Sequence, residues 1–218
     1  MERLLEIIRE KYLLTGLPAG EWEHLKVKGM KFHTRAFDAE GLGHVCVMEA
    51  KGFFGLMNMD TLVITPTKRD LPLYSYDRIS AMGRETLIVE LYDTMNGPCD
   101  LGRFDKITAS GCGAALAADP SLKDPGPHWY DEVRLPQSMR FEGKKSDASA
   151  FEELAVKALE AYLDTDAAPV ADAAEKAARN RTYVDALLSN GGVSTDIFKA
   201  KFGEEKTAEF YHKVFFGV

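Results

Sequence analysis

The sequence predicts an α+β fold in which a central antiparallel β-sheet is flanked by α-helices. Two observations carry this. Apolar and polar residues alternate from just after Gly20 to about Thr94, whereas from Gly102 onward the apolar residues recur at helical intervals. The links between strand candidates are also short, which favours antiparallel neighbours, because parallel pairs need crossovers of a dozen residues or more. Strands in one block and helices in the next is the α+β pattern. No linker, repeat or low-complexity tract divides the chain, so one domain over residues 1–218 is expected.

The opening MERLLEIIREKYLL reads as an amphipathic helix, with Leu4, Leu5, Ile8 and Tyr12 on one stripe and Glu2, Glu6 and Glu10 off it. In HLKVKGMKFHTRAF, Leu25 and Val27 alternate with lysines. The phase then slips at Gly29 so that Met30, Phe32 and Thr34 continue the pattern, and a slip at glycine predicts a β-bulge. HVCVMEAK, NMDTLVITP and ETLIVELYDT are three further strands, rich in Val, Ile, Leu and Thr and separated by turn residues. RFDKITASGCGAALAAD is a helix candidate ended by Pro120, and a Pro-punctuated crossover follows it. SDASAFEELAVKALEAYLD is a second helix, capped by Asp147 or Ser149 and burying Phe151, Leu154, Ala158, Leu159 and Tyr162. ADAAEKAARNRTYVDALLSN is a third, stopped by Gly191 and Gly192. STDIFKAKFGEEKTAEFYHKVFF makes one or two more, with Ser194 or Thr195 as the cap.

Composition narrows the function. With 27 Lys and Arg against 34 Asp and Glu the net charge is −7, the wrong sign for a general nucleic-acid binder. The leading segment mixes charges with its leucines, unlike a signal peptide, and no run approaches the ~18 apolar residues of a membrane span. A soluble, cytoplasmic protein is expected. Cys46, Cys99 and Cys112 are odd in number and widely spaced, which predicts reduced thiols rather than a disulfide framework.

Several motifs are incomplete. The clusters around Gly41 and Gly43 and around Gly111 and Gly113 do not form G-x-G-x-x-G between a strand and a helix. No P-loop, H-E-x-x-H or G-x-S-x-G occurs. His24, His33, His44, His128 and His212 show no metal-ligand spacing along the chain, so no metal site is expected.

What stands out is acid within apolar strand sequence: Glu49, Asp60, Asp77, Glu90 and Asp93. A carboxylate beneath a covering layer loses hydration, and its pKa rises toward the range in which it exchanges protons at neutral pH. At an open face or a strand end the same residue is simply solvated. By period two, Glu49 shares a face with Val45 and Val47, and Asp93 with Leu87, Val89 and Leu91.

VMEAKGFFGLMNMDTLVITPTKRDLPLYSYD resembles the ferredoxin-dependent bilin reductases, with the red chlorophyll catabolite reductases as more distant relatives. Glu49 matches the family's glutamate and Pro66 its strand-ending proline. Leu71, Pro72, Leu73, Tyr74, Ser75 and Asp77 match its aspartate motif. HWYDEVRLPQSMRF resembles the family's Trp and Leu-Pro crossover, and STDIFKAKFGEEKTAEFYHKVFF its closing segment. Two features depart from it. Thr61 stands where phycocyanobilin-forming members carry a histidine, and SNGGVS replaces an Asn-Asp-Pro turn near an acid.

The resemblance implies a three-layer α/β/α sandwich that binds an open-chain tetrapyrrole between the sheet and the C-terminal helices. It implies no bound flavin, nicotinamide or metal, single electrons from reduced ferredoxin, and protons from carboxylates. Asp77 is then the first proton donor and Glu49 the second, with Asp60 replacing the missing histidine if it faces inward. Thr61, Tyr74 and Asn190 are expected to contact the substrate. Its propionates would be met by cations among Lys26, Lys31, Arg35, Arg78 and Arg134, and acidic ferredoxin by a rim among Lys26, Lys28, Lys31, Lys68, Arg69 and Arg78. The alternatives are a non-catalytic tetrapyrrole-binding protein, a reductase of another conjugated substrate on the same fold, and an interaction module whose sheet acids are all exposed.

Overall fold

A computed structural model of the chain describes residues 1–52, 55–98, 100–104 and 127–218. Helix α1 (Glu2–Lys11) precedes an eight-stranded antiparallel sheet: β1 (Leu14–Leu17), β2 (His24–Val27), β3 (Met30–Ala39), β4 (Gly43–Gly52), β5 (Met57–Pro66), β6 (Leu73–Ala81), β7 (Arg84–Tyr92) and β8 (Met139–Lys144). The strand order is β1-β3-β4-β5-β6-β7-β8, with β2 also paired to β3, so the sheet is a meander. Helices α2 (Ala148–Leu163), α3 (Ala173–Asn190), α4 (Val193–Phe202) and α5 (Glu204–Glu209) follow, and a π-helical segment (Phe210–Phe216) closes the chain.

Both faces of the sheet are covered, because the central strands β4 to β7 carry apolar residues at both parities. Val45, Val47, Leu62, Ile64, Tyr74, Leu87 and Val89 pack under α1 and α2. Cys46, Met48, Val63, Leu73 and Tyr92 face the C-terminal helices, whose Tyr183, Phe198, Phe210, Tyr211 and Phe215 complete a second core. The five residues of the expected α2 stripe are all buried. Each large apolar side chain so covered contributes roughly 1.5–3 kcal/mol.

Local details differ from the sequence reading. The slip at Gly29 is a hairpin turn rather than a bulge: Val27 pairs with Met30, and Lys28 and Gly29 both take positive φ. That is the geometry of the two-residue turns that match strand twist. Strands β1 and β8 are not among the strand candidates, and β6 is anticipated only as the apolar sequence that Asp77 follows. LTGL and MRFEGK are short, with glycine or charge breaking the alternation, and LPLYSYD is apolar at both parities. Helix α4 starts from Gly192, and neither Ser194 nor Thr195 caps it; the Thr195 hydroxyl donates back to the Gly192 carbonyl at 2.9 Å. Asp147 precedes α2, but its carboxylate accepts from the Lys144 N–H at 2.7 Å rather than capping the helix. Asp172 does cap α3, accepting from the Ala174 and Glu175 N–H groups at 2.9 Å. Beyond Phe104, the RFDKITASGCGAALAAD helix lies outside the described residues, as do Cys99 and Cys112. Among the described residues no helix is long and apolar enough to cross a membrane.

His44 ties the C-terminal segment to the sheet. Its ring is buried, and Nε2 lies 2.8 Å from the Val214 carbonyl, which can only accept, so Nε2 carries the proton. Burial pushes the His44 pKa below its usual 6.5. The unfolded chain therefore binds the extra proton first, and the stability held above pH 6.5 is lost as pH falls through the folded value. Replacing His44 by Gln is expected to flatten the decline in melting temperature between pH 7 and pH 5, as thermal melts would show.

Candidate active site

Strand pairing decides which acids meet. Asp77 on β6 is paired with Thr61 on β5, and both face the C-terminal helices together with Met48, Val63 and Ser75. Glu90 and Tyr92 on β7 join them, and Trp129, Tyr130, Tyr183, Tyr211 and Phe215 supply the rim and roof of a cavity of about 240 Å³. A groove of about 420 Å³ adjoins it, sharing Glu90 as a common wall and carrying Arg134 and Arg140 on its other side.

Asp77 is half-buried, and the surface it keeps opens into this cavity rather than to bulk water. Loss of hydration pushes its carboxyl up to about 6, against a hydrogen bond from the Thr61 hydroxyl at 2.5 Å that favours the anion. The charge of Glu90 adds to the rise. Glu90 is anchored by Tyr92, whose hydroxyl donates to it at 2.5 Å, and by Arg134 at 3.5 Å. The Arg134 guanidinium also lies 5.2 Å over the Tyr130 ring. Tyr92 and Tyr183 pack with centroids 4.4 Å apart, and burial raises both phenols above their usual pKa, leaving them protonated donors. An acid that titrates at about pH 6 in an aromatic-walled cavity is suited to delivering a proton to a flat, conjugated molecule.

The two neighbours of Asp77 act in opposite directions, which can be tested directly. Glu90→Gln is expected to move the Asp77 titration to lower pH, and Thr61→Val to higher pH, each followed by carbon NMR of the labelled carboxyl.

Of the six residues expected from the sequence, the cavity collects Asp77 and Thr61. Glu49 and Asp60 are paired with each other on the opposite face, so Asp60 does not take the histidine's place inside. There Glu49 is bound by Arg35 at 3.3 Å, and the pKa of Asp60 is raised, chiefly by desolvation. Tyr74 is buried in the α1–α2 core, its ring tilted 45° against Tyr162 with centroids 4.9 Å apart. Asn190 is exposed and donates to the Ala186 carbonyl at 2.9 Å; from its turn it is Gly191, Gly192, Ser194 and Thr195 that line the cavity.

Among the cations, Arg35 and Arg78 also belong to the far face, leaving Arg134 beside the cavity. Arg69 is occupied with the Tyr12 hydroxyl and the Thr165 carbonyl. Glu90 was visible in the sequence as an acid within TLIVELYD, but nothing there showed that it shares a face with Asp77. The aromatic wall reads in sequence as ordinary core.

No protein-family model matches the sequence, and no curated protein matches it. Among solved structures, the crystal structure of phytochromobilin synthase from tomato in complex with biliverdin superposes with a TM-score of 0.70. The identity is 16%, and the match covers 99% of this chain and 82% of that one. The fold of this chain is therefore that of the tomato phytochromobilin synthase structure, the α/β/α sandwich that the sequence resemblance implies.

Proposed function

We propose that the protein is a ferredoxin-dependent reductase of a linear tetrapyrrole, working by a radical mechanism with Asp77 as the principal proton donor. The observation that carries this reading is Asp77 itself, a carboxyl with a pKa of about 6, facing an aromatic cavity on a fold shared with a biliverdin-bound enzyme. One electron from reduced ferredoxin converts the bound bilin to a radical, and the Asp77 carboxyl transfers its proton to it. A second electron and a second proton complete the reduction of one double bond. Glu90, held by Tyr92 and Arg134, adds its charge to the desolvation that raises the Asp77 pKa toward neutrality. The cavity takes the reacting rings, and the adjoining groove offers Arg134 and Arg140 to the propionates. Lys26, Lys28, Lys31 and Lys51 are exposed at one end of the sheet and form the cationic surface an acidic electron carrier would meet.

The test is anaerobic incubation with a panel of linear tetrapyrroles and a ferredoxin-reducing system, followed by product chromatography. A reduced bilin is the expected product. A bilin that shifts its spectrum on binding and changes no further would make the protein a tetrapyrrole binder. No response to any bilin would redirect attention to another conjugated substrate.

A further inference from the structure

On the face of the sheet opposite the Asp77 cavity, pairing aligns His24, His33, Glu49 and Asp60 in one row across β2, β3, β4 and β5. Linear spacing hides this, because the two histidines are brought together by the Lys28–Gly29 hairpin. Their rings stack with centroids 4.6 Å apart and 14° between planes. Glu23 joins them because its backbone is in the right-handed helical region, which interrupts strand alternation, while its carbonyl accepts from the Thr34 N–H at 2.9 Å. Its carboxylate lies 3.7 Å from His24 Nε2. One ligand atom from each of Glu23, His24 and His33 falls within 4.8 Å of the others.

We propose that Glu23, His24 and His33 form a binding site for a divalent transition ion of the zinc type, stapling β2 to β3. Tetrahedral zinc with bonds of about 2.0–2.1 Å sets its ligands about 3.3 Å apart. The three atoms, within 4.8 Å of one another, therefore need to close by up to about 1.5 Å, which rotamer changes of exposed side chains can supply. A carboxylate stands behind the site: His33 Nδ1 is 3.9 Å from Glu49, a separation that the same ring movement would have to close to make a hydrogen bond. Glu49 is held in turn by Arg35, which also binds Glu2 of α1 at 2.6 Å. A carboxylate behind one ring nitrogen fixes a ligating histidine and leaves its other nitrogen for the metal. The ion class follows from the donors. Two imidazoles and a single carboxylate favour zinc, nickel or copper over magnesium and calcium, which take all-oxygen ligand sets.

Isothermal titration of the full, untagged chain with zinc chloride tests this. One equivalent should bind the wild type, and His24→Gln or His33→Gln should each weaken binding by at least about tenfold, the lower end of what loss of even an outer-shell partner costs. Melting temperatures in EDTA should be the same for all three proteins, and only the wild type should gain with added zinc. Magnesium should give no heat of binding. Absence of zinc uptake by the wild type, or an isotherm unchanged in both variants, would overturn the proposal.

Discussion

Asp77→Asn is expected to lower bilin turnover by at least about 100-fold, the usual scale of a lost general acid, while binding of the tetrapyrrole persists. Asparagine keeps the shape and can still accept the Thr61 hydrogen bond, so the cavity should stay intact. It cannot release a proton. In the wild type, turnover should decline as pH rises through about 6, where the free carboxyl ionises, and this limb should vanish from the residual rate of the variant. An anaerobic reduction rate unchanged in the variant would remove Asp77 from the mechanism.

The same substitution should leave a stability signature of opposite sign. The folded pKa of Asp77, about 6, lies above its ordinary 3.8, so the protonated form favours folding. That contribution is complete below pH 3.8 and is lost as pH rises through 6. Above it, the native protein holds a poorly hydrated anion. Asp77→Asn is therefore expected to be more stable than wild type at pH 8, by about 1–2 kcal/mol once cavity water is allowed for, with the gap closing toward pH 4. Urea melts at the two pH values measure it. Loss of activity together with gain of stability would mark a residue retained for chemistry.

Why Asp77 was legible in the sequence and its partners were not is a matter of register. Leu-Pro-Leu-Tyr-Ser-Tyr-Asp carries its own signature, and the two helix-forming stripes of α1 and α2 declare their buried faces by their 3.6-residue period. Glu49 was correctly grouped with Val45 and Val47, but in a sheet covered on both sides an apolar parity does not say which layer it faces. The answer depends on every hairpin between β4 and β6. The pairing Glu49 with Asp60 and Asp60 with Arg78 sets all three out of phase with Asp77, and one residue more or less in either turn would have reversed it. Glu90 gained its place through the same arithmetic, being paired with Ser75 two positions before Asp77. The roof was harder still. Tyr183 and Tyr211 come from helices whose docking depends on long-range packing, and no local pattern separates a cavity-facing tyrosine from a core one.

Lys176→Met is expected to be the most damaging single change away from the cavity, costing about 3–5 kcal/mol, the range seen when one partner of a buried ion pair is removed. Lys176 on α3 is 1% exposed. Its ammonium donates to the Leu71 carbonyl at 2.5 Å and to the Thr94 hydroxyl at 3.4 Å, and lies 3.5 Å from the Asp70 carboxylate. Asp70 in turn accepts from the N–H groups of Asn96 and Gly97 at 2.9 Å. One ion pair thus joins α3, the segment leading into β6 and the segment leaving β7. Methionine fills the space of the lysine stem but strands a carboxylate of which only a small part meets water. Asp70→Asn should relieve part of the loss, so the double variant should be more stable than the sum of the two single changes predicts, by a coupling within the usual ~0.5–3 kcal/mol for contacting residues. Denaturant melts of the four proteins close that cycle, and strict additivity would show that Lys176 acts through contacts other than Asp70, such as the Leu71 carbonyl and the Thr94 hydroxyl. The consequence reaches the site. Leu71 and Pro72 open the motif that ends in Asp77, and their carbonyls are held by Lys176 and by the Tyr162 hydroxyl, the latter at 2.8 Å. The Leu-Pro step is thereby pinned between the two helical layers, and it is from this fixed start that β6 carries Asp77 to its place beside Thr61 and Glu90.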